Sequence, residues 1–365
     1  MPNIHKTIFS CERDGLTICG TEYRPEGTNL PAVIISHGFL ANQKTVEKYA
    51  KQFAIWGYAA YCFDFIGGGL KTKSDGKLED MTVFTELEDL KAVIAYVKSL
   101  LYIDHMRLIL MGCSQGGFVS ALTAAEMPEQ VSALILFYPA LCIPDDAGTF
   151  AEISGYQGPV LIIHGTEDEI VDISYAQRAW EVYQRIGENT GGIPRRDVQL
   201  MQIEGACHGF NRKYDQSAMF AVREFLHGRT EVITVDVTLT GRTVTKKDGK
   251  KLLTLPFEGT SKSPYFEGVI LPGAADVQEL KGLKPVSGCA SYILEGTDYT
   301  GTACRITIDN IFDGNTWTPI VTTDSKALDF LIGAKCHAYP EGRKMGPLVR
   351  IYTRCPVPKE GQKCI

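Results

Sequence analysis

Several features are missing from this sequence, and each absence narrows the class of protein. No run of about 18 apolar residues occurs, so no segment is expected to span a membrane as a helix. The first residues, MPNIHKTIFSCERDG, lack the apolar stretch of a signal peptide, so we expect a cytoplasmic protein. No excess of positive charge occurs: 37 Lys and Arg residues are outnumbered by 43 Asp and Glu, and the net charge of −6 argues against nucleic acid as a partner.

The cysteines lack any regular organisation. There are 11 of them, with no CxxC pair and no repeated spacing. Several lie in apolar runs, such as Cys62 in YCFDF and Cys142 in ALCIP, where a thiol packs as a small hydrophobic group. We therefore expect free thiols in a reducing compartment, and neither a disulfide framework nor a zinc site.

The length of 365 residues favours two domains, and the texture of the sequence changes near residue 229. Within residues 1–229, strand and helix signals alternate, which predicts an α/β domain with a mostly parallel sheet covered on both faces. Within residues 230–365, short runs with period two are separated by glycine turns. This pattern predicts a mainly antiparallel β-barrel-like or sandwich domain.

Local patterns refine both domains. Two early strand candidates, IHKTIFS and LTICGTEY, have no helix between them and should form an antiparallel hairpin at one sheet edge. In the second domain only DSKALDFLIG, from Asp324 to Gly333, predicts a helix. The basic run KKDGKK surrounds an Asp-Gly pair and predicts a solvated hairpin turn.

The stretch LMGCSQGG places two possible nucleophiles side by side. At a nucleophile elbow, the residues two before and two after the nucleophile must be small, because the strand-to-helix turn is very tight. Around Ser114 these residues are Gly112 and Gly116, whereas around Cys113 they would be a methionine and a glutamine. Ser114 is therefore the predicted nucleophile. A glycine-rich turn without chemistry is the alternative.

A second stretch, SHGFL, ends the third strand candidate. An acyl-transfer enzyme must bind the negative oxygen of a tetrahedral intermediate, and backbone amides do this well. The amides of Phe39 and of Gln115, directly after Ser114, are the expected oxyanion donors. We expect His37 to be a packing histidine at the strand end.

An acid and a base follow later in the chain. In LIIHGTEDEIV, the spacing HG-x-x-D-x-x-V selects Asp168 from four nearby acids to orient a histidine. The others, Glu167, Glu169 and Asp172, are expected to be solvated. In GACHGF, His208 lies between small residues, as a base that must reach Ser114 requires.

The order serine, acid, histidine is that of the α/β-hydrolase fold, and residues 1–228 resemble that superfamily. More narrowly, SDGKLEDMTVFTELEDLKAVIAYV together with GCSQGG resembles the bacterial feruloyl and cinnamoyl esterases. The resemblance implies a small-molecule ester substrate of the hydroxycinnamate type, an acyl-enzyme mechanism, and no metal or organic cofactor.

The sequence departs from that family in three places. Cys113 stands where the family commonly has histidine, and Gly67 to Gly69 stand where it often has a GHG turn. Several members insert a lid of some fifty residues where this chain has only Leu141 to Gly158. A serine peptidase of the same fold and a catalytically silent scaffold remain alternatives to an esterase.

The second domain resembles a small bacterial domain family of unassigned function. We expect its polar residues Glu295, Asp298, Asp309 and His337 to lie at turns and strand ends. We also expect this domain to cover the Ser114 cleft, in its own chain or across a homodimer. Four of its aromatic residues would then touch substrate, namely Tyr265, Phe266, Tyr292 and Tyr299.

Overall fold

Strands alternate with helices along the first part of the chain, and the second part consists almost wholly of strands. The computed structural model describes residues 3–69, 71–142, 150, 152–185, 197–247 and 249–354. The chain divides into two compact units, Met1–Val222 and Arg223–Ile365. The predicted fold class, an α/β-hydrolase domain followed by a mainly antiparallel β domain, is confirmed.

Among the described residues, eight strands form the sheet of the first unit. They are β1 (Ile4–Arg13), β2 (Leu16–Pro25), β3 (Leu30–Ser36), β4 (Ala59–Phe63), β5 (Ile103–Cys113), β6 (Ala133–Phe137), β7 (Val160–Gly165) and β8 (Val198–Ile203). Their order in the sheet is β1-β2-β4-β3-β5-β6-β7-β8. β2 pairs antiparallel with β1 and with β4, whereas the later strands pair in parallel. β4, β6 and β7 are mostly apolar and buried along their whole length, as parallel strands covered by helices should be.

The predicted edge hairpin is confirmed. Its register runs from the pair Ile4 and Pro25 to the pair Arg13 and Leu16. The two residues of the turn, Asp14 and Gly15, have φ angles of 52° and 79°. Aspartate and glycine tolerate these positive angles, and such turns match the twist of the strands that they connect.

Helices alternate with strands in the first part, as predicted. In the described residues they are α1 (Gln43–Ile55), α2 (Val83–Lys98), α3 (Gln115–Glu126), α4 (Ile173–Arg185) and α5 (Arg212–Leu226). The side chain of Asn42 caps α1, and Thr82 forms a capping box with Thr85 at the start of α2. α2 buries an apolar stripe that includes Leu87, Leu90 and Val93, whereas α3 is buried on all sides from Gln115 to Ala124.

The chain reverses its direction across the sheet between β3 and β5. From β3 it moves to β4 on one side and then returns to β5 on the other. In an open α/β sheet, ligands bind beyond the carboxyl ends of the strands at such a switch point. The segments that follow Ser36 and Cys113 therefore frame the expected site.

Ten strands form the second unit. They are β9 (Thr230–Leu239), β10 (Thr243–Lys247), β11 (Lys250–Lys262), β12 (Phe266–Ile270), β13 (Ala275–Lys281), β14 (Lys284–Asp298), β15 (Ala303–Phe312), β16 (Trp317–Thr323), β17 (His337–Gly342) and β18 (Pro347–Thr353). All of their pairings are antiparallel. Since β9 pairs with both β18 and β11, the strands close into a ring around an apolar core.

Two local predictions for this unit have different outcomes. The basic run predicted as a turn connects β10 and β11, with Lys247 paired to Lys250, although Asp248 lies outside the described residues. The predicted helix from Asp324 to Gly333 is only a 3₁₀ helix, Lys326–Leu331. Its start is capped by the Ser325 side chain, which accepts a hydrogen bond from the amide of Leu328. Short segments often take this tighter form because they form too few bonds to sustain an α-helix.

Across the described ranges, no helix combines the length and apolar character that crossing a membrane requires.

Candidate active site

Ser114 lies at the tip of a tight turn between β5 and α3. Its backbone has φ 54° and ψ −122°, a strained conformation for a residue with a side chain. A Cβ on Gly112 would lie 2.1 Å from the carbonyl oxygen of Gly116, and one on Gly116 would lie 2.3 Å from that of His37. The two glycines are therefore required by the close approach of the backbone, as the sequence predicts for a turn centred on Ser114.

Cys113, the competing nucleophile, is buried beside this turn and is 3% exposed. Burial raises the pKa of its thiol to about 12, and a hydrogen bond with Tyr138 opposes this shift only in part. A thiol that keeps its proton is a poor nucleophile. Cys113 therefore packs as an apolar side chain, and Ser114 presents the hydroxyl.

Ser114, His208 and Asp168 form a continuous chain of hydrogen bonds. His208 Nε2 lies 2.9 Å from Ser114 Oγ, and His208 Nδ1 lies 2.8 Å from Asp168 Oδ2. The carboxylate can only accept, so Nδ1 carries the proton and Nε2 is free to accept the serine proton. The carboxylate is fully buried, whereas the imidazole is 20% exposed. Water and substrate can therefore reach the imidazole but not the acid.

The backbone of the loop after β7 holds Asp168 in place. Its Oδ1 accepts hydrogen bonds from the amides of Ile170 (3.0 Å) and Val171 (2.9 Å). Oδ2 remains available for His208. The three competing acids are exposed: Glu167, Glu169 and Asp172. Of these four carboxylates, the structure brings only Asp168 to the histidine.

A second histidine, which the sequence analysis overlooked, lies behind the acid. His164, on β7, is fully buried, and its Nε2 is 3.2 Å from Asp168 Oδ2 and 2.9 Å from the carbonyl oxygen of Val171. Burial lowers the pKa of His164 below its ordinary value, so the ring is neutral and Nε2–H donates. Since the amide of Val171 donates to Asp168 and its carbonyl oxygen accepts from His164, the histidine helps to hold the loop that carries the acid. The HG dipeptide at the strand end was the available signal.

The two predicted oxyanion donors lie next to the nucleophile. Gln115 is the first residue of α3, where a backbone amide has no partner within the helix. Phe39 follows Gly38, and a Cβ built on Gly38 would lie 3.0 Å from the Cβ of Ser114 and 3.6 Å from its Oγ. Both segments therefore lie close to Ser114.

His37 has the packing environment expected for it. It is 1% exposed, its Nδ1 lies 2.8 Å from the carbonyl oxygen of Gly38, and its Nε2 accepts from the amide of Phe65 at 3.3 Å. Burial lowers the pKa of His37, so the ring stays neutral and connects two loops beside the site.

Tyr138, which directly follows β6, forms one wall of the site. Its ring contacts the rings of His208 and Phe210 edge-on, with centroids 4.9 and 4.8 Å apart. Its φ angle of 37° is unusual for a tyrosine. Tyr138 could not be predicted from the sequence, because a tyrosine after a buried strand is an ordinary core pattern.

Two carboxylates of α2 are buried near the start of α3. Glu86 is 1% exposed and accepts a hydrogen bond from the side-chain amide of Gln115 at 2.7 Å. Asp89 is fully buried, bonds to Arg13 at 2.6 Å and accepts from the amide of Ile66 at 2.8 Å. Burial raises the pKa of Glu86 to about 8. The segment ELED contained both acids, but only the rotation of α2 shows which of its carboxylates face inwards.

The polar residues of the second unit are bonded to their strand neighbours. Asp298 accepts from Thr300, Thr302 and Ser325, and Glu295 pairs with Arg305. Further contacts join Asp309 to Ser291 and place His337 3.8 Å from Glu224. Asp298 and His337 lie at strand ends, as expected, whereas Glu295 and Asp309 lie within β14 and β15, where they pair with residues of the neighbouring strand.

The expectation for the aromatic residues of this unit requires a correction. Phe266 and Tyr292 are 1% and 6% exposed and belong to the core of their own unit, so they cannot touch substrate. Strand alternation turns both side chains inwards. Tyr265 and Tyr299 are only partly buried and contact each other, with ring centroids 6.0 Å apart. The stretch from Leu141 to Gly158, which stands in place of the family's longer lid, includes residues 143–149 and 151, which lie outside the described residues.

The first part of the chain matches a known protein family. A family model described as "Dienelactone hydrolase family" matches residues 18–227. Over 106 residues, the chain is 34% identical to the quorum-quenching protein AidA of Acinetobacter baumannii, covering 28% of this chain and 34% of that protein. Over 140 residues it is 27% identical to human monoglyceride lipase, covering 38% of this chain and 44% of the lipase. The chain thus spans less than half of the length of these curated relatives.

Solved structures support the same fold. Est1E from Butyrivibrio proteoclasticus superposes with a TM-score of 0.50 at 22% identity, covering 60% of this chain and 97% of that one. A putative dienelactone hydrolase from Klebsiella pneumoniae superposes with a TM-score of 0.50 at 16% identity, covering 62% of this chain and 99% of that one. At these identities the likeness shows a shared fold for the first unit.

Proposed function

This chain belongs to the dienelactone hydrolase family, and we propose that it hydrolyses carboxylic esters with Ser114 as nucleophile, His208 as base and Asp168 as orienting acid. One observation carries the proposal. The hydroxyl of a serine at a strained turn lies 2.9 Å from an imidazole whose other nitrogen lies 2.8 Å from a buried carboxylate. This is the geometry that serine acyl transfer needs.

The acylation step follows from these contacts. As Ser114 Oγ attacks the ester carbonyl, its proton passes to His208 Nε2, and the C=O π electrons move onto the oxygen. The amides of Phe39 and Gln115 stabilise that oxyanion, and one such donor contributes about 3 kcal/mol in other enzymes. When the tetrahedral intermediate collapses, the C–O bond to the alcohol breaks, and His208 returns the proton to the leaving oxygen. Asp168 stabilises the transient imidazolium without taking its proton.

Deacylation repeats these steps with water. His208 removes a proton from the water as it attacks the acyl carbon, and collapse of the second intermediate breaks the bond to Ser114. The proton returns to the serine oxygen, and the carboxylic acid leaves. His208 is 20% exposed, so water reaches it from the open side of the site.

We propose small, predominantly apolar esters as substrates, with hydroxycinnamate-type aromatic esters as the first class to test. The α2 segment and the GCSQGG turn resemble the feruloyl and cinnamoyl esterases, and a relative by sequence is named monoglyceride lipase. Apolar side chains also flank the site: Phe39, beside Ser114, is 55% exposed, and Ile170, beside Asp168, is 71% exposed. Side chains of this kind favour an apolar acyl or alcohol group.

The proposal is tested by labelling the full chain with a fluorophosphonate and assaying p-nitrophenyl esters of graded acyl length, methyl ferulate and aminoacyl anilides. The wild-type chain should be labelled once and hydrolyse esters faster than anilides. Ser114→Ala should abolish labelling and lower kcat by at least about 10⁴-fold.

The matched control is Cys113→Ala, which should still be labelled because the buried thiol is not the proposed nucleophile. If Cys113→Ala removes the activity and Ser114→Ala keeps it, the assignment of the nucleophile is wrong. A wild-type chain that neither reacts nor hydrolyses would be a silent scaffold. Faster cleavage of anilides would indicate a peptidase.

A further inference from the structure

The buried carboxyl of Glu86 contacts the residue that supplies one oxyanion donor. Glu86 Oε2 accepts a hydrogen bond of 2.7 Å from Gln115 Nε2, and both side chains are buried. Glu86 Oε1 is also buried and has no hydrogen-bond partner among the described residues. The proposed mechanism uses only the backbone of Gln115. The hydrogen bond between the two side chains therefore has no role in the chemistry described so far.

An unpartnered buried oxygen favours the uncharged form of this carboxyl. Burial of a charge without a partner costs far more free energy than burial of a neutral hydroxyl. Accordingly, burial is the main cause that raises the pKa of Glu86 to about 8, and the bond from Gln115 opposes it. At neutral pH, Glu86 therefore holds Gln115 without placing a negative charge beside α3.

The charged groups around Glu86 do not replace this missing partner. On its own helix, Asp89 is a second negative charge, which further raises the pKa of Glu86. Arg13 on β1 bonds to Asp89, and Cys11 on the same strand has its pKa raised to about 11 by burial and by Asp89. On α3, Gln115 is the uncharged partner.

We propose that Glu86 is a positioning residue for the oxyanion site: in its uncharged form it fixes Gln115 at the start of α3, and its ionisation weakens oxyanion binding. This inference rests on the proposed hydrolysis by Ser114. If Glu86 ionised, its negative charge beside the Gln115 side chain would repel the negative oxygen that the Gln115 amide binds in the transition state. In a protein interior, repulsion between two negative charges separated by about one side chain can lower a rate by about 10-fold or more.

The test measures kcat and KM of the full chain for a p-nitrophenyl ester between about pH 6 and about pH 10. The wild-type kcat should fall about 10-fold above the pKa of Glu86, with little change in KM, because only the transition state carries the oxyanion. Glu86→Gln remains uncharged and should lose this decline. Glu88→Gln is the matched control, since Glu88 is an exposed acid of the same helix, and it should keep the decline.

A second variant keeps the inference testable if Glu86→Gln does not fold. Gln115→Leu retains the backbone amide but removes the side-chain donor, and it should lower kcat about 10-fold at unchanged KM. A wild-type kcat that stays constant to about pH 10 would overturn the inference. So would a decline that Glu86→Gln retains, or a Gln115→Leu kcat equal to that of the wild type. Absence of any ester hydrolysis by the wild type would instead contradict the proposed function.

Discussion

The two units of this chain both contain buried carboxylates, but they use them differently. In the first unit, His208 joins Ser114 across 94 positions of the sequence and Asp168 across 40. In the second unit, Asp298 accepts hydrogen bonds from Thr300 and Thr302, two and four positions away. The first arrangement assembles reactive groups from distant segments, whereas the second stabilises a local turn.

Sheet topology explains this difference. Parallel strands place all of their carboxyl ends at one edge, so the segments after β3, β5, β6, β7 and β8 converge there. Antiparallel neighbours alternate their ends, so residues at one end of a strand pair come from the same hairpin. Even the long-range pair of Glu231 and Arg350, 119 positions apart, joins the first and last strands of the ring. We infer that the first unit carries the reactive groups, whereas the long-range charged pair of the second unit helps to close its ring of strands.

The largest expected effect comes from the distant carboxylate. Asp168→Asn should lower kcat about 10⁴-fold, because an amide cannot hold His208 in the tautomer that accepts the serine proton. The matched control is Asp172→Asn, since Asp172 is an exposed aspartate on the same loop and accepts from Ser174. Steady-state ester hydrolysis measures both variants. Equal losses in the two would mean that the loop, rather than the carboxylate of Asp168, is what matters.

Features set by local geometry could be predicted from the sequence. The apolar runs predicted the parallel strands, the small residues around Ser114 predicted the tight turn, and spacing singled out Asp168. Contacts that depend on the rotation of a helix or on packing between elements could not. Glu86 meets Gln115 only because α2 packs against α3. Closure of the second sheet likewise has no local signal, since it depends on the pairing of β9 with β11 and β18.

The next largest effect is expected for His164, which bonds to the loop that carries Asp168. His164→Leu removes the donor to the carbonyl of Val171 and the imidazole that lies beside Asp168, and it should destabilise the first unit by about 1–3 kcal/mol. We expect kcat to fall about 10-fold as the acid loop loosens. His164→Gln can place an amide nitrogen near the position of Nε2 and should restore most of both losses. Equal kcat values for wild type and His164→Leu would assign His164 to packing alone.

The smallest effect on activity is expected in the second unit, where Asp298 should matter for stability only. Asp298 is 5% exposed, and its carboxylate accepts four hydrogen bonds, including one from Ser325. Burial alone would raise its pKa, but the bonds from Ser325 and Thr300 outweigh burial and lower the pKa. Asp298→Asn should therefore destabilise this unit by about 1–3 kcal/mol and leave ester hydrolysis unchanged.

The pH dependence of the stability lost in Asp298→Asn gives a sharper test. A carboxyl whose pKa is lower in the folded than in the unfolded state contributes stability above its unfolded pKa of about 4, and this contribution disappears as pH falls through the folded pKa. The difference between Asp298→Asn and the wild type should therefore narrow in acid. Hydrogen exchange of peptides from β14 and β15, compared with those from β3 and β5, measures each unit separately. Asp313→Asn, at an exposed turn with similar backbone bonds, is the control and should lose less protection because its carboxylate is already solvated. Altered ester hydrolysis in Asp298→Asn would contradict the division of roles between the two units.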